Sequence, residues 1–196
     1  MPIGIKSVDR LRLDDAFNDK MVHRPLTECI NVKCDERLLV IDDEKTRCSR
    51  FGNEVDDLDK ALIVVNEKKY EIVLLSIDHQ LLTGIQGGIA DCALFDDKQF
   101  RLVEFKTNAE GNSKKNFDKA TSQLKHTIQV FRDRLQAVDI QFEEAVALRC
   151  HVVVSHNFPR SLATMQDYQF EFAIDTGGII LSFDSVTYWE DQNRNY

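Results

Sequence analysis

Asp91, Glu104 and Lys106 are the residues whose types and spacing could do chemistry: an aspartate, twelve intervening residues, then Glu-Phe-Lys. Glu104 and Lys106 are two apart in FRLVEFKT, which reads as a strand, so their side chains point to one face. Asp91 sits on the preceding strand, IADCALF, close to the turn and within reach of both. Two carboxylates and an ammonium converging on a sheet suit a hard divalent cation. Mg²⁺ is usually held by one or two carboxylates, with carbonyls, water and substrate phosphate filling its octahedron. Asp91, Glu104 and the carbonyl of Phe105 would be the metal ligands, for Mg²⁺ or Mn²⁺. With such an ion bound, a coordinated water becomes more acidic and charge developing on phosphorus is stabilised. Lys106 would orient or deprotonate that water, or stabilise the transition state electrostatically. The alternative is a buried structural carboxylate–lysine pair. Both strands are apolar enough that charge placed there is costly unless paired or metal-bound.

The elements that must position these residues follow from periodicity. IADCALF and FRLVEFKT flank the tight connection Asp96-Asp97-Lys98-Gln99, which predicts a β-hairpin. Alternation puts Ile89, Asp91, Ala93 and Phe95 on one face, and Arg101, Val103, Phe105 and Thr107 together on the partner strand. From Lys114 to Leu135 the apolar residues Phe117, Ala120, Leu124, Ile128, Phe131 and Leu135 recur every three or four positions. That spacing predicts an amphipathic helix with Ser113 as N-cap. Asn116, Gln123, Thr127 and Arg134 form a stripe that borders its apolar face, and His126 falls on the exposed side. Upstream, ALIVVN and YEIVLLSI predict a hairpin across Glu67-Lys68-Lys69, with a loop ending at Gly87-Gly88 before the next strand. Residues 8–23 carry a weak helical pattern closed by Pro25. Glu28–Val32 and Arg37–Ile41 read as strands, and 44–59 have no assignment. Downstream, Glu144–Ser155 predicts a buried strand. Tyr168–Ile174 and Ile179–Phe183 predict two more, joined by Asp175-Thr-Gly-Gly178. The expectation is an α/β (α+β) mixed sheet with a long helix in one domain over 1–196, with 1–59 as an N-terminal elaboration and 60–188 as the core.

Composition sets the outer bounds. The apolar fraction is 43% and the charged fraction 30%, ordinary for a globular chain. The start MPIGIKSVDR lacks an apolar stretch after its lysine, and the longest apolar runs are strand-sized, so a cytoplasmic location with no membrane association is expected. The five cysteines are irregularly spaced and expected to be free and mostly buried. His23, Cys29, Cys34 and Cys48 lack the short-spaced pair that structural zinc sites carry. The net charge is −8, yet residues 98–134 hold nine Lys or Arg against four Asp or Glu. Such a basic island can face phosphates, or it can be the solvated side of one helix.

GGIADCALFDDKQFRLVEFKTN, followed by a loop and a helix containing SQLKHTIQVF, resembles the PD-(D/E)XK nuclease-like superfamily. Asp91, Glu104 and Lys106 match its three signature positions. Gln123 falls where RecB-like branches place a helix glutamine facing the site, although Thr127 stands where an aromatic often follows. The family's early Glu on a preceding helix has two candidates, Glu54 and Glu44, with Glu54 preferred. The resemblance implies a restriction-endonuclease-like core with Asp91, Glu104, Lys106 and Gln123 as catalytic residues. It implies a Mg²⁺- or Mn²⁺-dependent phosphodiesterase cleaving nucleic acid, DNA above RNA. Lys114, Lys115, Lys119, Lys125 and Arg132 would bind the phosphate backbone, which positions a polymer without reading its sequence. No sequence-reading motif accompanies them, so specificity would come from a protein partner, a homodimer or nucleic-acid structure. Restriction, repair and anti-phage defence all fit. The alternative function is a catalytically inactive nuclease-like fold acting as a binding or assembly subunit.

Overall fold

A computed structural model describes residues 4–107, 113–155 and 162–190. Three short helical turns come first: α1 (Lys6–Arg10), α2 (Leu13–Ala16) and α3 (Leu26–Cys29). The helix expected over 8–23 is broken at Arg12, whose φ of 50° lies in the left-handed region and cannot continue a right-handed helix. The Arg12 side chain compensates by donating to Asp15 and to the Val138 carbonyl. There follow β1 (Ile30–Lys33), β2 (Arg37–Asp43), β3 (Cys48–Phe51), β4 (Ala61–Val65), β5 (Ile72–Ser76), β6 (Cys92–Phe95) and β7 (Gln99–Phe105). Then come α4 (Ser113–Gln136), α5 (Phe142–Ala145), β8 (Ala147–Val153), α6 (Leu162–Thr176), β9 (Ile180–Ser182) and β10 (Val186–Tyr188).

The strands form two mixed sheets, one of six in the order β1-β5-β6-β7-β8-β9 and one of four in the order β10-β4-β2-β3. β5, β6 and β7 are an antiparallel meander, and β7, β8 and β9 run parallel, connected by crossovers through α4–α5 and α6. The helices cover one face of the six-stranded sheet and the second sheet covers the other. All seven residues of β7 are therefore buried. The N-terminal third is woven in: β1 pairs with β5, and β2 and β3 belong to the covering sheet.

Two expected hairpins are corrected. β4 and β5 do not pair; they lie in different sheets, and Leu62 and Val64 pack into the same cluster as Ile72 and Leu74. Two apolar strands joined by a short turn fit face-to-face stacking as well as lateral pairing. Asn66 closes the connection, accepting from the Tyr70 amide at 3.0 Å and donating to the carbonyls of Tyr70 and Asp35. Tyr168–Ile174 is not a strand but the second half of α6. Its buried residues Met165, Phe172 and Thr176 follow helical spacing, and Phe170 and Ile174 stay 68% and 65% exposed. The Asp175–Gly178 segment is accordingly a helix end. Gly177 takes a φ of 78°, and the Gly178 amide donates to the Ala173 carbonyl at 2.7 Å, as in a Schellman cap.

The long helix agrees with its periodicity. Phe117, Ala120, Leu124, Ile128, Phe131 and Leu135 are all at most 3% exposed. Burying each of the larger ones contributes roughly 1.5–3 kcal/mol. Phe131 packs against Phe17, Phe100 and Phe142, so one aromatic cluster ties the N-terminal turns to the helix and the sheet. Ser113 is the first helical residue, and the capping expected of it concerns a side chain outside the described residues. Among the described residues no helix is long and apolar enough to cross a membrane.

Candidate functional site

The β6–β7 register pairs Cys92 with Val103, which sets Asp91 opposite Glu104 one step beyond β6. Asp91 is thus at the open end of the hairpin, not near its turn as expected. The turn is closed instead by Asp96, whose Oδ1 accepts from the amides of Lys98 and Gln99. Asp91 and Glu104 share the helix-facing side of the sheet with Ala93, Phe100 and Leu102. Asp91 Oδ2 accepts from the Phe105 amide at 2.6 Å. The Asp91 carbonyl accepts from the amides of Ile77 and Asp78 at 2.9 and 3.3 Å, beyond the end of β5. Glu104 is 1% exposed; its Oε1 is ion-paired with the Lys106 ammonium, and its Oε2 is buried with no hydrogen-bond partner.

α4 supplies the opposite wall. Gln123, 6% exposed, accepts from Lys106 Nζ at 3.4 Å and donates to the Ile89 carbonyl at 3.0 Å. Of the stripe read from the sequence, Gln123 and the fully buried Thr127 meet the backbone leading into β6, whereas Arg134 packs on the N-terminal turns, donating to the Ala16 carbonyl and lying over the Phe17 ring. His126 is not on the exposed face. It is half-buried, and its Nδ1 is 2.8 Å from the Gly88 carbonyl oxygen. Gly87 and Gly88 have φ values of 96° and 74°, and a Cβ on Gly88 would meet Gln123 Cγ at 3.1 Å. Both the left-handed backbone and the close approach of α4 require glycine there.

Burial governs the electrostatics. It pushes the Asp91 carboxyl well above the usual range, reinforced by the charges of Glu104 and Asp42 and opposed by the Phe105 amide and Lys106. Burial also raises Glu104 to about 7, with Lys106 pulling the other way. The charges felt here include two that sequence reasoning missed: Asp42, on β2, acts on Asp91, and Asp78 acts on Glu104 and Asp42. Asp42, exposed as a residue at the end of β2, is itself raised by partial desolvation of its carboxyl and accepts from Ser49 Oγ at 3.4 Å. The available signal was an acidic residue at each strand end, hidden because the strand read over Arg37–Ile41 stops one residue short of Asp42. Glu44 and Glu54 are both exposed, and the charge of Glu44 acts on Asp42.

The basic residues of α4 divide. Lys125 is ion-paired with Asp175 and lies over the Phe172 ring, and Arg132 is ion-paired with Glu143 and donates to the Thr176 carbonyl. Lys114, Lys115 and Lys119 are exposed in the first two turns, and the Lys119 charge reaches Glu104. Elsewhere Arg101 is buried against Trp189, with Gln99, Thr187 and the Tyr188 carbonyl as its hydrogen-bond partners. The cysteines are free, three of them buried. Among the described residues no three His, Cys, Asp or Glu side chains gather closely enough to hold a metal ion. In comparison with known proteins, the chain matches no family model, no curated protein and no solved structure.

Proposed function

We propose that the chain is a Mg²⁺- or Mn²⁺-dependent phosphodiesterase that cleaves nucleic acid, DNA above RNA, on a restriction-endonuclease-like core. The observation that carries this reading is the buried Glu104 Oε2, left without a partner beside Asp91 and Lys106. An unsatisfied buried acceptor typically costs about 1–3 kcal/mol, and more when charged. A hard cation would satisfy it. Asp91 and Glu104 are the side chains that would hold the ion, with the Phe105 carbonyl, leaving positions for water and a substrate phosphate. Two carboxylates suffice for that arrangement, which Mg²⁺ commonly adopts. The bound ion would supply Lewis acidity toward a phosphoryl oxygen and a coordinated water. Because both carboxyls are raised, each must lose its proton as the ion binds, and affinity should climb with pH.

The chain's own groups then have distinct work. Lys106, held between Glu104 and Gln123, sets a positive charge at the mouth of the pair, where it can orient a water or stabilise negative charge on phosphorus. Lys114, Lys115 and Lys119 would hold the backbone in register. Lys125 and Arg132 would contribute only by exchanging their present acidic partners.

A second reading, an inactive fold serving as a binding or assembly subunit, is favoured by one observation: the exposed apolar pair Phe170 and Ile174 on the outer face of α6. Incubation with single- and double-stranded DNA and with RNA, in Mg²⁺, Mn²⁺ or EDTA, separates the two. Cleavage that requires the cation supports the enzyme. Intact nucleic acid under every condition, with binding of nucleic acid or protein retained, supports the subunit.

A further inference from the structure

Asp91 lies outside any strand, yet the backbone leading to it is held at three consecutive residues. The Gly88 carbonyl meets His126 Nδ1 at 2.8 Å, the Ile89 carbonyl accepts from Gln123 Nε2 at 3.0 Å, and the Ala90 amide donates to Thr127 Oγ1 at 2.7 Å. All three holds come from one stretch of α4. The Thr127 bond is the most deeply placed: Thr127 and Ala90 are each 0% exposed, and the hydroxyl proton is given to the Gln123 carbonyl at 2.8 Å. The hydroxyl oxygen is thereby left to accept from Ala90, in a place closed to solvent. On the far side of Asp91 its own carbonyl is fixed by the amides of Ile77 and Asp78.

We infer that Thr127 is a positioning residue for Asp91. Its hydroxyl fixes the Ala90 peptide, and with it the direction from which the Asp91 carboxylate enters the ion site. This rests on the metal-dependent reading above. Outer-shell groups that orient a ligand typically change metal affinity by about 10–100-fold when removed.

The test is titration of Mn²⁺ into metal-free protein at pH 8 for wild type, Thr127→Val and Thr127→Ser, with amide hydrogen exchange at Ala90 read in EDTA. Valine keeps the branched shape and loses the acceptor; serine keeps the acceptor. Thr127→Val should bind Mn²⁺ about tenfold more weakly and exchange the Ala90 amide faster, and Thr127→Ser should match wild type in both. A wild type that binds Mn²⁺, with Thr127→Val binding as tightly, overturns the positioning role alone. A wild type that takes up no Mn²⁺ overturns the metal reading, and this inference with it. Should Thr127→Val fail to fold, Thr127→Ala removes the same acceptor from Ala90. The same weakening is then expected, and unchanged affinity overturns the positioning role.

Discussion

At neutral pH and without a cation, Glu104 retains much of its proton, because burial raises its carboxyl to about 7 from an ordinary 4.5. The unfolded chain releases that proton above about 4.5. The stability linked to it is therefore complete below that pH and is lost as pH rises through 7, by roughly 3 kcal/mol if the whole shift is realised. In EDTA, Glu104→Gln should melt at a higher temperature than wild type at pH 8 and at a similar one near pH 4.5. Mn²⁺ should raise the wild-type melting temperature more at pH 8 than at pH 6, and leave Glu104→Gln unmoved. Thermal melts across that range check both, and identical curves for the two proteins would show an ordinary carboxyl. Asp91, Glu104, Lys106 and Gln123 were legible because strand alternation and helical period fix which side chains share a face. Asp42 and Asp78 were not. Their charges act here because of which strand ends the fold brings together, and no local pattern records that.

The elements differ in how far local periodicity decided them. α4 was readable to within a residue because its apolar stripe runs six positions without interruption. YQFEFAI was misread because Tyr168, Phe170, Phe172 and Ile174 alternate like a strand, although the core takes Met165, Phe172 and Thr176. β4 was recognised as a strand but given the wrong neighbour, since stacking and pairing leave the same apolar run. Packing of α4 sets one prediction: Phe131→Ala should destabilise the chain by about 3–5 kcal/mol in denaturant titration, as for other buried phenylalanines. A loss under 1 kcal/mol would mean that the Phe17, Phe100 and Phe142 cluster repacks around the gap. The division of basic residues sets another. Lys119→Glu should weaken nucleic-acid binding and reduce the slope of log K against log salt by about one or more. Lys125→Glu should change the slope less, because Lys125 already has Asp175. Equal slopes for all three proteins would make the helix a solvated face.

The whole chain carries a net charge of −8, yet Glu104 and Lys106 lie within its one basic stretch, residues 98–134. Strand β2 of the covering sheet brings Asp42 within electrostatic reach of Asp91, so the N-terminal third takes part in the site's electrostatics rather than decorating it. That participation was illegible in the sequence because the strand read over Arg37–Ile41 stops short of Asp42 and the stacking of two sheets leaves no local signature. On the proposed function Lys106 acts in catalysis and is not merely the salt-bridge partner of Glu104. The most direct measurement is the initial rate of DNA cleavage in Mn²⁺ by wild type and Lys106→Ala, with Mn²⁺ affinity measured on the same samples. Removing a preorganised charge from a reacting centre typically costs ~10²–10³ in rate. Lys106→Ala should lose that much rate, with metal affinity kept because both carboxylates remain. Cleavage by Lys106→Ala at the wild-type rate would contradict it.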